Sequence, residues 1–199
     1  MARPIAKDHG EKRGQILNAA ARVFAAEGLA RASMAQVAKD CGISKANIYH
    51  YYSSKDALLF DILDTYLSAL RDRLDGLNLA GKSGPEKLAM LIRETLQAYE
   101  GMDCEHKIQL EGLALLPTSE QETLKGYQRD MVRQMGGVLR EIAPDVLGQD
   151  RTKLRSAVMS VFGMLNWFYM WNPRASLEAR EDYAMVVSQM ALKLSLIHI

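Results

Sequence analysis

Between Gly42 and Lys55 the chain reads GISKANIYHYYSSK, with four ring-bearing side chains in succession from Tyr49 to Tyr52. Lys45 offers a cation and Asn47 an amide. Tyr49 and Tyr51 offer hydroxyls on flat apolar rings, and His50 offers an imidazole. Such groups bond phosphate oxygens and base edges. An ordinary solvated helix would carry Glu and Lys there instead. Ile48 and Tyr52, four apart, can face a core together with Ile43 and Val37, which leaves Lys45, Asn47, Tyr49, His50 and Tyr51 outside. The chemistry suggested is recognition of a polyanion.

These side chains need a short helix held at a fixed angle, and the flanking sequence supplies one. Apolar residues recur with helical period through almost the whole chain, and no run shows sustained strand alternation. A first helix is predicted from about Glu11 to Glu27, with Ile16, Ala19, Ala20, Val23 and Phe24 on one face and Gly28 as its C-terminal cap. Ser33 suits the N-cap of a second helix, with Met34, Val37, Ala38 and Cys41 inward. Gly42 permits a sharp turn, and Ser44 caps the short ring-bearing helix. Helix, tight turn and short helix is the spacing of a DNA-binding helix-turn-helix, whose second helix enters the major groove. Ser53 or Ser54 then caps a long fourth helix from Lys55 to about Leu79.

AGKSG (80–84) is the clearest break, with Pro85 opening a fifth helix. Further helices are predicted over about 103–116, 119–142 and 151–171, and from 177 onward. The expected fold is all-α, about nine helices. A three-helix helix-turn-helix domain (1–54) precedes a helical bundle for ligand binding and dimerisation (55–199).

The 199 residues are 48% hydrophobic and 25% charged, with a net charge of only +1. That is ordinary for a globular chain with a real core. The charge is unevenly spread. Residues 1–55 hold nine Lys/Arg against four Asp/Glu, a balance of +5, so the remainder carries −4. A basic end on an acidic body fits an anionic partner at that end. Arg3 and Lys7 add a charged N-terminal tail. Cys41 and Cys104 lie far apart with no motif spacing, so neither a disulfide framework nor a zinc site is suggested, and a reducing cytoplasm fits. No signal peptide is evident. The apolar run at 157–171 is too short to span a bilayer and reads as a buried helix.

The stretch QILNAAARVFAAEGLARASMAQVAKDCGISKANIYHYYSSKDALL resembles the TetR family of bacterial repressors. It has the family's first helix and glycine, a Ser-led second helix, the G-I-S-K turn, the Y-x-Y-Y ending and the S-K-D-A-L-L continuation. The resemblance implies that Ser33, Ser44, Tyr49 and Lys55 touch the DNA backbone and that Lys45, Asn47 and His50 read bases. The family often has histidine where Tyr51 stands, which makes Tyr51 a further backbone contact. A reader of this kind covers half a site, so a two-fold homodimer on a palindromic double-stranded operator follows.

The resemblance also implies that the last two helices pair with their copies. Met159, Phe162, Gly163, Trp167, Met185, Val186 and Met190 offer apolar surface for this. The core of the monomer is the competing role for each. FGMLNWFYMWNPRA (162–175) resembles the penultimate helix of a subgroup that responds to CoA thioesters. Asn166 in this apolar helix needs a partner, whether a dimer mate, backbone or a ligand. Trp167, Phe168, Tyr169 and Trp171 can line an acyl or aryl slot. Met90, Leu91, Leu110, Leu113, Met131 and Met135 are candidate walls, or plain core. Arg129, Arg133 and Arg140 are candidate phosphate ligands.

MDCEH (102–106) contains metal-ligand residue types, but neighbours on a helix point in different directions and no second cluster supports them. No metal, cofactor or membrane partner is expected. No nucleophile elbow, phosphate loop or paired carboxylate supports an enzyme. The expectation is a repressor released by a small organic effector. The alternatives are an enzyme or a non-specific DNA-binding protein on the same scaffold. The tail LSLIHI (194–199) resembles the translation of a transposon end used in preparing sequencing libraries, and the expectation is a scar following about Lys193.

Overall fold

Helical periodicity carries through the chain. The computed structural model describes the backbone of residues 3–196 and the side chains of residues 9–193. In chain order the helices are α1 (Arg3–Glu27), α2 (Met34–Asp40), α3 (Lys45–Tyr51), α4 (Lys55–Asp75), α5 (Gly84–Ala98), α6 (Asp103–Gly112), α7 (Thr118–Ile142), α8 (Pro144–Leu147), α9 (Arg151–Trp171) and α10 (Leu177–Leu196). A 3-10 turn, Leu113–Leu115, follows α6, and there is no strand among the described residues. The all-α expectation holds, with differences at the ends. α1 begins two turns before Glu11, and α4 stops at Asp75 rather than Leu79. The short α8 is a tenth helix that the periodicity does not announce. Pro144 cannot continue α7, but its missing N–H is no loss at a first helical position. The side chains of Arg3, Lys7 and the 194–199 tail lie outside the described residues.

The chain packs as two compact units, residues 1–67 with 104–124, and residues 68–103 with 125–199. This packing division falls within α4, beyond Ser54, and assigns nearly all of α6 to the first unit.

In the first unit α2 packs on both α1 and α3. Ile16, Ala19, Ala20 and Phe24 are buried along α1, as their spacing predicts. Ser33 and Gln36 form a capping box at the start of α2: the Ser33 Oγ accepts the Gln36 N–H, and the Gln36 Oε1 accepts the Ser33 N–H at 2.9 Å. Amides that a first helical turn leaves open are thus satisfied. α2 ends in a Schellman turn. The Gly42 N–H reaches the Lys39 carbonyl at 3.2 Å, and the Ile43 N–H reaches that of Ala38 at 2.9 Å. Gly42 takes φ 68° there, a left-handed backbone that glycine adopts without penalty. Cys41, expected inward, instead caps the helix and is half-buried. Ser54, rather than Ser53, caps α4, its Oγ accepting the Ala57 N–H at 3.0 Å.

α6 closes on the same unit. The Lys107 Nζ donates to the Ala25 carbonyl at 2.6 Å. Gly112 lies so close that a Cβ there would meet Leu29 and Leu59 methyl carbons at 3.0 to 3.3 Å. His106 is buried, and its Nδ1 shares a 2.7 Å hydrogen bond with the Tyr66 hydroxyl.

In the second unit α10 packs along α5 and against α9. The buried cation of this core is Arg180, 1% exposed. Its Nε donates to the Ala175 carbonyl at 3.3 Å and its Nη1 to that of Leu96 at 3.2 Å. The Asp103 carboxylate lies 3.9 Å away, and the Phe168 ring centroid 5.7 Å away. A guanidinium buried without such partners would be strongly destabilising. Asp103 also accepts the Arg174 N–H at 3.0 Å, which ties in the turn between α9 and α10.

Among the described residues no helix is long and apolar enough to cross a membrane. Among them, too, no group of three His, Cys, Asp or Glu side chains could hold a metal ion.

Candidate nucleic-acid interface

α3 has only seven residues, and its two faces are sharply different. Ile48 is fully buried and the Tyr52 that follows the helix is nearly so. Lys45, Ala46, Asn47, Tyr49 and His50 are exposed, and Tyr51 is half-buried. Asn47, His50 and Tyr51 stand three and four residues apart and share one face. Tyr49 is 47% exposed despite its apolar ring. No acidic residue occurs in the sequence between Asp40 and Asp56, so α3 itself carries no charge that repels an anion. Ser44 caps the helix, its Oγ accepting the Asn47 N–H at 3.1 Å. That fixes the first turn, which carries Lys45 and Asn47.

Several contacts hold α3 at its angle. The Tyr52 hydroxyl donates to Asp61 of α4, and the Arg13 Nε of α1 donates to the same carboxylate oxygen at 2.9 Å. Burial and the bond to Asp61 push the Tyr52 phenol above its ordinary value of 10. The bond to Asp61 likewise raises Arg13. The sequence does not single out Arg13, Asp61 or His9. His9 stacks on Tyr51, with ring centroids 4.9 Å apart. It lies before the predicted start of the first helix, where the expected tail hid it.

Two of the expected backbone contacts have partners inside the unit. The Ser33 hydroxyl donates to the Gln36 Oε1 at 2.8 Å, so a phosphate contact there requires Gln36 to move. The Lys55 Nζ donates to the carbonyls of Leu29 at 2.6 Å and Ala32 at 3.3 Å. An ammonium has three donors, so one remains for a phosphate.

In the C-terminal bundle, the partner of Asn166 is none of those the sequence left open. The hydroxyl of Tyr99, which caps the C-terminus of α5, donates to the Asn166 Oδ1 at 2.7 Å. Burial pushes the Tyr99 phenol above its ordinary range, which keeps it a neutral donor. Met131 and Met135 are buried, Tyr169 is half-buried, and Leu110 is exposed. Leu113 is half-buried and belongs to the first unit, whereas Met131, Asn166 and Tyr169 belong to the second. Of the roles the sequence left open for Trp167, the surface fits its exposure. It is 57% exposed. Spaced at helical intervals along α9 with it are exposed Met159, Gly163, Met170 and Trp171, and α10 exposes Met185, Val186 and Met190. Phe162, grouped with these by sequence, is buried and belongs to the core. Arg129, Arg133 and Arg140 are exposed, and Arg133 pairs with Asp130 at 3.1 Å.

The family model for bacterial regulatory proteins of the tetR family matches residues 16–62, and that for the Tetracyclin repressor-like C-terminal domain matches residues 81–195. The chain belongs to the TetR family. A TetR-family transcriptional regulator from Bordetella parapertussis 12822 superposes with a TM-score of 0.84 at 28% identity, covering 94% of this chain and 98% of that one. The regulator FadR from Bacillus subtilis, in complex with stearoyl-CoA, shares the fold with a TM-score of 0.67 at 19% identity, over 93% of this chain and 98% of that one. The regulator BetI of Rhizobium meliloti (strain 1021) is 31% identical over 87 residues, 44% of this chain and 43% of that protein. The chain thus spans less than half the length of the curated relatives it matches. These TetR-family relatives are transcriptional regulators, not enzymes.

Proposed function

We propose that this TetR-family protein is a cytoplasmic transcriptional repressor. It binds a palindromic double-stranded operator as a homodimer and leaves it when a small organic effector binds. The observation that carries this reading is the two-faced α3. A helix of two turns buries Ile48 and exposes Lys45, Asn47, Tyr49 and His50, and carries no acid of its own. Asn47, Lys45 and His50 read base edges, while Ser44, Tyr49, Tyr51 and the remaining donor of Lys55 meet phosphates.

The exposed apolar residues of α9 and α10 support the dimer. Large apolar side chains exposed at helical intervals on neighbouring helices suit an interface, and a second copy related by a two-fold axis presents the same residues in return. Two α3 helices must then fall about 34–36 Å apart, one turn of the duplex, to enter successive major grooves.

An acyl- or aryl-CoA thioester is the effector class to test first. The support is the fold shared with FadR, which is in complex with stearoyl-CoA, together with the half-buried Asn166 and Tyr169 and the buried Met131 in the C-terminal unit. The ligand must favour the unbound conformation to release DNA. Selection of random or genomic duplexes by the purified protein tests the DNA reading. An enriched inverted repeat is the expected result, and enrichment without sequence preference would overturn it. On that duplex Asn47→Ala costs about 1–3 kcal/mol at one base position. Release by a CoA thioester, without its turnover, tests the effector class.

A further inference from the structure

The first turns of α1 carry a contact outside the helix-turn-helix motif. His9 is exposed, and its ring lies 4.9 Å from that of Tyr51 with the planes 26° apart. Arg13, one turn further along the same face of α1, holds Asp61, which also accepts the Tyr52 hydroxyl. An i, i+4 pair on α1 thus reaches the end of α3, His9 by stacking on Tyr51 and Arg13 through Asp61, which accepts the Tyr52 hydroxyl. The two contacts act on different kinds of side chain. Arg13 acts through Asp61 on Tyr52, a tyrosine that belongs to the core. His9 covers Tyr51, which is half-buried and ends the exposed face of α3.

A tyrosine hydroxyl sits at the far end of a rigid ring, so the ring's orientation sets where it points. A free ring at the surface samples several rotamers and must be ordered on binding. A stacked partner orders it beforehand, through contact between two flat faces.

We propose that His9 is a positioning residue for DNA binding: its ring holds Tyr51 in the orientation from which the Tyr51 hydroxyl meets a phosphate beside α3. The inference rests on α3 being the DNA reader. His9 then belongs to the DNA-binding apparatus through Tyr51.

The test is a double-mutant cycle on the inverted-repeat duplex selected by the wild-type protein. His9→Ala weakens binding about tenfold, the order of one hydrogen bond. His9→Phe keeps a flat ring and restores most of that loss. Tyr51→Phe removes only the hydroxyl and costs a similar factor. The double variant His9→Ala with Tyr51→Phe costs no more than Tyr51→Phe alone, because both changes remove the same contact. Three results would each overturn the inference: unchanged binding by His9→Ala, His9→Phe as weak as His9→Ala, or additive losses in the double variant. A melting temperature lowered by His9→Ala would also count against it, as a sign of a role in the fold. If the wild-type protein selects no duplex, the DNA reading fails first. If it selects one that His9→Ala binds equally well, only the role of His9 fails.

Discussion

Single side chains show how burial changes the chemistry of a residue type. Tyr52, Tyr99 and Tyr183 are pushed above the ordinary phenol value by burial, and Tyr52 further by Asp61. A raised folded-state value means that stability is fully present below the unfolded value near pH 10 and drains away as the pH climbs past it. Spectrophotometric titration is expected to show a group of tyrosines ionising later than the rest, and Tyr99→Phe removes one of them. Simultaneous ionisation of all eight tyrosines in the folded protein would contradict the burial argument. Arg180 makes a different point. Truncating it to Ala opens a cavity and removes the guanidinium's hydrogen bonds to the Leu96 and Ala175 carbonyls. The expected loss is about 3 kcal/mol, measured by denaturant unfolding. A loss below about 1 kcal/mol would mean that water replaces the guanidinium at little cost.

Elements depend on backbone conformations that few residues tolerate. The turn between α2 and α3 requires φ 68° at Gly42. No atom crowds a Cβ there, so the whole penalty of Gly42→Ala is conformational, about 1–2 kcal/mol. Circular dichroism melting is expected to record that loss, and operator affinity falls with it if α3 changes angle. Unchanged stability would show that the turn relaxes to another geometry. The capping boxes at Ser33 and Ser83 are legible in sequence as a serine followed three residues later by Gln36 or Glu86. The helix α8 is not, since a proline that ends one helix gives no signal that it starts another.

At the scale of the whole molecule, the proposed dimer draws on the exposed apolar side chains of α9 and α10. Trp167 is 57% exposed and Met185 56%, so a charge at either position leaves the protomer core untouched. Trp167→Glu or Met185→Glu is expected to convert a dimer to a folded monomer in sedimentation or light-scattering measurements. Operator affinity then falls at least a hundredfold, since one half-site alone must hold the protein. Dimers that survive both substitutions would move the interface elsewhere.

The sequence by itself determined the helical class, the order of the main helices and the inward pair Ile48 and Tyr52, because spacing on a helix decides which residues share a face. It also carried the family, through a dense run of residues around the Gly42 turn. Tertiary structure decided what spacing cannot. Phe162 and Trp167 are both large apolar residues of α9, yet one is core and the other lies at the surface. Asn166 and Tyr99 are 67 residues apart but share a proton. His9, Arg13 and Asp61 meet Tyr51 and Tyr52 only once α1, α3 and α4 have packed. Such contacts join positions distant along the chain, and their partners become known only when the helices find their places.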